Sequence, residues 1–231
     1  GDGHPDLSIE DGLRRVVYAA ADDLQTIPLA AVAYSNQTQY GDVDSDGDMD
    51  AVIDGSGGLI LLRNDGAAPW TPVVLPLNGH LTAVGDVSPA PGLELLGWRN
   101  GQLRVAANRF GEGGTFGPWQ AFDVEGPRDA HLVDVDADGD LDILGVAAVP
   151  LETVLRLENQ GGAWTELRGG GANERHGWHG WSQVCDLNGD GQDDLFALFD
   201  LFNEGRGYIM GRGVVTASAA LPTTEPVEGG A

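Results

Sequence analysis

A nine-residue phrase returns along this chain at a near-regular interval, and that recurrence constrains the fold more than any other feature. Asp42-Val43-Asp44-Ser45-Asp46-Gly47-Asp48-Met49-Asp50 reappears as Asp134-Val135-Asp136-Ala137-Asp138-Gly139-Asp140-Leu141-Asp142, and again as Asp186-Leu187-Asn188-Gly189-Asp190-Gly191-Gln192-Asp193-Asp194. Acidic or amide oxygens fill positions 1, 3, 5 and 9, and glycine fills position 6. Carboxylates set this densely repel one another, so a folded loop of this kind needs a cation. A hard cation that takes six to eight oxygen ligands fits best, which points to Ca²⁺. The expected ligands are Asp42, Asp44, Asp46, Asp48 and Asp50 in the first loop and Asp134, Asp136, Asp138, Asp140 and Asp142 in the second. Asp186, Asn188, Asp190, Gln192 and Asp194 form the third set. Position 7 is expected to lend its backbone carbonyl, and Gly47, Gly139 and Gly191 permit the sharp turn that closes each cage.

Two weaker copies extend the series. Gly1-Asp2-Gly3-His4-Pro5-Asp6 reads as the second half of the phrase, giving a truncated site with Asp2, His4 and Asp6 as partial ligands. At 86–94, Ser88 and Ala90 replace the acids of positions 3 and 5, so metal binding there is expected to be weak or absent. Position 5 falls at residues 2, 46, 90, 138 and 190, with spacings of 44, 44, 48 and 52. Five units at such a period indicate a propeller or a related array.

Each unit reads alike. An apolar strand enters the loop (Leu81–Val84, His131–Val133) and a second leaves it (Met49–Ile53, Leu93–Leu96, Leu141–Leu144, Leu195–Leu198). A glycine- or asparagine-rich turn such as Asn100-Gly101 follows, which is hairpin chemistry. A third strand then ends in Asn and Gly, as at Asn64-Asp65-Gly66 and Asn159-Gln160-Gly161. A fourth begins at Trp70, Trp119 or Trp164. The fold expected is all-β, a propeller of four-stranded antiparallel blades with about five units visible. These units span about 1–36, 37–79, 80–127, 128–176 and 177–217, and 218–231 reads as a disordered Pro/Thr/Glu tail. A closed ring and a piece of a larger propeller both fit the ends. Leu13 to Asp23 is ambiguous between helix and strand, and the fourth strand of the last unit is unclear.

The formal charge of −24 comes from 12 basic and 36 acidic residues, and the three strong loops hold 14 of those acids. Three bound Ca²⁺ ions would bring the net charge to about −18. With no basic stripe to neutralise phosphates, the composition argues against nucleic acid. The single cysteine, Cys185, excludes an intrachain disulfide and reads as a small hydrophobe before the third loop. No stretch approaches the roughly 18 apolar residues of a membrane span.

The phrase Asp-x-Asp-x-Asp-Gly-x-x-Asp, followed by an apolar strand and a Leu-x-Asn-x-Gly hairpin, resembles the FG-GAP repeat family and the related bacterial VCBS-type repeats. The resemblance covers about residues 1–215 and rests on 42–50, 134–142, 186–194 and the half-copy at 2–6. It implies a Ca²⁺-stabilised β-propeller like the integrin α-subunit head or similar modules of bacterial surface proteins and some fungal lectins. EF-hand and dockerin loops are excluded, because they need an acid at position 12 and Ile53, Gly145 and Ala197 stand there.

Other features are better explained by structure. The run His176-Gly177-Trp178-His179-Gly180-Trp181 reads as an inter-blade loop, and is the first candidate for a sugar-stacking site. Trp70, Trp119 and Trp164 recur at one repeat position, which favours packing. Asp54-Gly55-Ser56-Gly57-Gly58 lacks the Gly-x-Ser-x-Gly spacing of a hydrolase elbow and falls where a hairpin is needed. The function expected is a non-enzymatic binding or adhesion module, secreted or at the cell surface, with a protein or glycan ligand on one face. Alternatives are a lectin, the non-catalytic propeller of a polysaccharide-active enzyme, and a self-assembling subunit whose open terminal blades exchange strands.

Overall fold

The computed structural model describes residues 7–10, 14–18, 24–28, 35–55, 57–66, 70–89, 91–125, 130–147, 153–171, 180–187, 189, 191, 193–201, 204–211 and 214–220. They form five consecutive antiparallel meanders. β1 (Leu7–Glu10), β2 (Arg14–Tyr18) and β3 (Leu24–Pro28) make a three-stranded sheet. The second sheet contains β4 (Ser35–Gly41), β5 (Asp50–Gly55), β6 (Gly58–Arg63) and β7 (Thr71–Val74), and the third contains β8 (His80–Gly85), β9 (Glu94–Arg99), β10 (Gln102–Ala106) and β11 (Gln120–Glu125). β12 (Ala130–Val133), β13 (Asp142–Ala147), β14 (Thr153–Gln160) and β15 (Ala163–Gly171) form the fourth. β16 (Gly180–Cys185), β17 (Asp194–Leu201), β18 (Glu204–Gly211) and β19 (Val214–Ala220) form the fifth. The fold is thus all-β, and four of the sheets have the four strands read from the repeat. Only a 3₁₀ turn at Phe110–Glu112 interrupts this pattern among the described residues.

Turn chemistry sets the strand pairing. Asn100 (φ 53°) and Gly101 (φ 83°) are both left-handed between the paired residues Arg99 and Gln102, the two-residue turn whose twist matches a hairpin. Gly161 (φ 65°) and Gly162 (φ 93°) do the same between Gln160 and Ala163. The ambiguous segment after Leu13 contains β2, rich in β-branched Val16 and Val17. β19 supplies the fourth strand of the last sheet and continues to Ala220, past the boundary drawn at 217; residues 221–231 lie outside those described.

The chain divides into two compact units, Gly1–Val124 and Glu125–Ala231. In the first, both faces of the second sheet are buried. Val52, Leu59 and Leu61 share a core with Leu81, Leu95 and Ala106 of the third sheet. Ala51, Ile53, Ile60 and Leu62 point the other way and are covered in part by Trp70. Alternate residues of paired strands therefore serve two apolar layers, as in a sheet stacked between others. In the second unit, Val133, Val135 and Leu144 of the fourth sheet pack with Leu195 and Val184 of the fifth. Every acidic phrase described in these units joins the first strand of its sheet to the second.

Candidate metal centres

Position 9 of the four phrases from 42 onward is the first residue of the second strand, and its carboxylate is buried. Asp50 is 0 % exposed; its Oδ2 accepts the Val43 amide at 2.9 Å and its Oδ1 accepts the Asn64 amide at 2.8 Å. Asp142 repeats this, accepting Val135 N at 3.0 Å and Asn159 N at 2.8 Å. Asp194 accepts Leu187 N at 3.1 Å, and Glu94 accepts Val87 N at 3.0 Å. The acid thus staples the start of the loop and, in two sheets, the end of the third strand. Burial raises the Asp50 carboxyl above its ordinary pKa; the Asn64 and Val43 amides pull it down, and the Asp44 charge pushes it up again. Asp142 is raised in the same way, chiefly by burial.

Position 1 organises the turn itself. The Asp42 oxygens accept the amides of Asp46 and Gly47, each at 3.0 Å, and Asp134 accepts those of Asp138 at 3.2 Å and Gly139 at 3.1 Å. Asp186 accepts Gly189 N at 2.7 Å and Gly191 N at 2.9 Å. The chain can turn this tightly because positions 4 and 6 are left-handed: Ser45 and Gly47 at φ 62° and 96°, Ala137 and Gly139 at 61° and 97°, Gly189 and Gly191 at 77° and 84°. Asp46 and Asp138 close short side-chain turns onto the amides of Asp48 and Asp140, both at 2.9 Å.

These bonds converge the acids. Carboxylate oxygens of Asp42, Asp44 and Asp50 lie within 4.8 Å of one another, as do those of Asp134, Asp136 and Asp142. Two unit charges at that distance repel by about 3.5 kcal/mol at an effective dielectric near 20. A carboxylate offers about four lone-pair sites, and each amide bond takes one, so Asp42 and Asp50 keep capacity for a cation. Asp44 adds a sharper indication: its side chain is 6 % exposed, and its buried Oδ1 has no hydrogen-bond partner among the described residues. These groups can hold a metal ion, and an all-oxygen donor set suits a hard one such as Ca²⁺.

Arginine also enters both loops from the third strand. Arg63 Nε lies 2.6 Å from Asp44 Oδ2, and Arg156 lies 3.5 Å from Asp136 Oδ2 and 2.6 Å from Glu158 Oε1. Burial alone would lower the Arg63 pKa, but Asp44 and Asp65 outweigh it and raise it. Sequence reasoning missed these arginines. It placed Asn64 and Asn159 at the end of the third strand but missed Asn108 and the role all three share, a side chain that donates to the position-8 carbonyl: Asn64 to Met49 O at 3.3 Å, Asn108 to Leu93 O at 3.0 Å, Asn159 to Leu141 O at 3.2 Å. Asn64 and Asn108 each follow position 9 by fourteen residues, a signal present in the sequence. In the second loop the position-7 side chain is engaged, since Asp140 Oδ2 accepts Gly161 N at 2.7 Å.

The 86–94 loop is built differently. Pro89 stands where the other loops need a left-handed residue, and proline cannot take positive φ. Gly92 is left-handed instead, at φ 101°. Ser88 Oγ donates to Glu94 at 2.8 Å, and no group of three potential ligands forms in this loop among the described residues. Asn188, Asp190 and Gln192 of the third loop lie outside the described residues, as do Asp2, His4, Asp6 and the segment 172–179 with His176 and His179. Trp119 packs against the core of the first unit and donates to Asn78 O at 3.1 Å, in keeping with a packing role. Cys185 ends β16, partly buried. No helix of the described residues is long and apolar enough to cross a membrane.

No protein-family model matches this chain, and no curated protein matches it. Among solved structures, it is similar to a lectin of Agrocybe aegerita described as recognising non-reducing terminal N-acetylglucosamine. That likeness has 15 % identity and a TM-score of 0.43, and covers 92 % of this chain and 75 % of the other.

Proposed function

We propose that this chain is a Ca²⁺-stabilised β-propeller module of the FG-GAP/VCBS kind, a non-catalytic binding element that works outside the cell and presents a surface to a protein or glycan. The observation that carries the reading is the pair of carboxylate triads, Asp42/Asp44/Asp50 and Asp134/Asp136/Asp142, the first with the buried Oδ1 of Asp44, which has no hydrogen-bond partner among the described residues. Cation binding offsets the repulsion within each triad, so binding energy becomes folding energy. Millimolar extracellular Ca²⁺ matches the affinity expected of such modules. Five consecutive meanders support the propeller reading, since four of them have the four strands of one blade.

Thermal unfolding in excess CaCl₂ and in EGTA tests this. An ion present at a hundred times its Kd adds about 2.7 kcal/mol per site. Two such sites correspond to a loss of roughly 10–20 °C on chelation for a chain of this size. An unchanged midpoint would refute the reading. A glycan array then separates a sugar ligand from a protein one.

A further inference from the structure

We propose that Asp65, on the turn between β6 and β7 and outside the nine-residue phrase, is an additional ligand for the divalent cation held by the 42–50 loop. The inference rests on the reading of these loops as Ca²⁺ sites. Asp44, Asp46 and Asp65 bring carboxylate oxygens within 4.8 Å of one another, a second triad that shares Asp44 with the first. Asp44 also carries an unmet acceptor among the described residues. Its Oδ2 faces Arg63, while its Oδ1 is buried without a donor among the described residues, on a side chain 6 % exposed. An unmet buried carboxylate oxygen is costly, and with carboxylates of Asp46 and Asp65 within 4.8 Å of an Asp44 oxygen, a cation is the partner that lowers the energy of all three.

The turn is placed for this role. The Asn64 amide is fixed on Asp50 Oδ1 at 2.8 Å, so the next residue is tethered beside the loop. Asp65 is 49 % exposed, and Arg63 Nη2 holds its Oδ1 at 2.6 Å. A Cβ added at Gly66 would come within 2.8 Å of Asp48 Oδ2, which shows how closely the turn approaches the phrase. In the 134–142 repeat, Gln160 follows the anchoring Asn159, and the triad there draws on the phrase alone. The 42–50 loop is therefore the tighter of the two sites, and its ion ties the β6–β7 turn to the β4–β5 loop.

Calorimetric titration of the full chain with CaCl₂ tests the assignment, using wild type, Asp65→Asn, Arg63→Gln, the Arg63→Gln/Asp65→Asn double variant and Gln160→Asp. Asp65 is half exposed, and far-UV circular dichroism verifies that each variant is folded. Loss of one charged ligand is expected to weaken the tightest class of sites roughly tenfold, in both the wild-type and the Arg63→Gln backgrounds, and Gln160→Asp is expected to tighten a second class. If Asp65→Asn leaves every class unchanged, or acts only when Arg63 is present, Asp65 is merely the partner of Arg63 and the proposal is overturned. A wild type that takes up no Ca²⁺ overturns the cation reading itself, an outcome distinct from either.

Discussion

The position-9 acid is expected to matter most in the absence of metal, which separates a structural staple from a simple ligand. Asp50→Ala leaves the amides of Val43 and Asn64 without acceptors in a site that is 0 % exposed. Each orphaned donor costs about 1–3 kcal/mol. Burial raises the Asp50 carboxyl above its ordinary pKa, so deleting the charge returns part of that cost. The expected net loss in EGTA is about 3 kcal/mol, or roughly 6–12 °C in Tm for a domain of this length. Asp46→Ala serves as the contrast. Asp46 is exposed and loses one bond to the Asp48 amide, so less than about 1 kcal/mol should disappear in EGTA. Glu94→Ala provides a second control: it removes the same kind of staple from a loop with no triad, so its loss should be equal in Ca²⁺ and in EGTA. Urea unfolding by tryptophan fluorescence in both buffers gives the six numbers needed. Equal losses for Asp50→Ala and Asp46→Ala in EGTA would refute the argument.

Two further outcomes follow from the same loops. Ala137→Gly should stabilise the protein by about 0.5–1 kcal/mol, read as a urea midpoint shift, because Ala137 is held at φ 61° where the third loop already has Gly189; no gain would show that the turn bears no strain. Burial, opposed by the Val87 amide and the Ser88 hydroxyl and reinforced by Asp86, raises the Glu94 pKa above 4.5. A raised acid weakens the fold while charged, so wild type should gain stability relative to Glu94→Gln as pH falls from 7 through the folded pKa, with the gain complete below 4.5. A flat or inverted difference between the two pH profiles would contradict the assigned burial.

The strands and loops were legible because two local rules coincide with the repeat. Short apolar runs place β5, β9, β13 and β17 at the end of each phrase, and Asn100-Gly101 fixes its hairpin by conformation alone. The division of labour inside the phrase was not legible. Asp42 and Asp50 are the same residue type at symmetric ends of the motif, yet one caps the turn and the other is buried beneath it. Only the direction of each side chain relative to the sheet separates them, and a list of spacings carries no such direction.

The arginines show why the rest of the site escaped a repeat-based reading. Counting back from the anchoring asparagine, Arg63 stands one residue before Asn64, and Arg156 three residues before Asn159. Glu158 occupies the place of Arg63, and Leu61 the place of Arg156. The two guanidinium groups therefore reach equivalent aspartates, Asp44 and Asp136, from different positions on one strand face. Residues two apart on a strand point the same way, and a long side chain can span the interval, so the contact recurs while the residue pattern does not. The backbone repeat is thus under tighter constraint than the charge that balances it. The same reasoning distinguishes the two candidate cation sites: Arg63 is shared between Asp44 and Asp65, each at 2.6 Å, whereas Arg156 is engaged by Glu158 at 2.6 Å and lies 3.5 Å from Asp136. The charge at Asp44 is therefore balanced by a close guanidinium and that at Asp136 by a more distant one, a difference of side-chain placement on the same backbone.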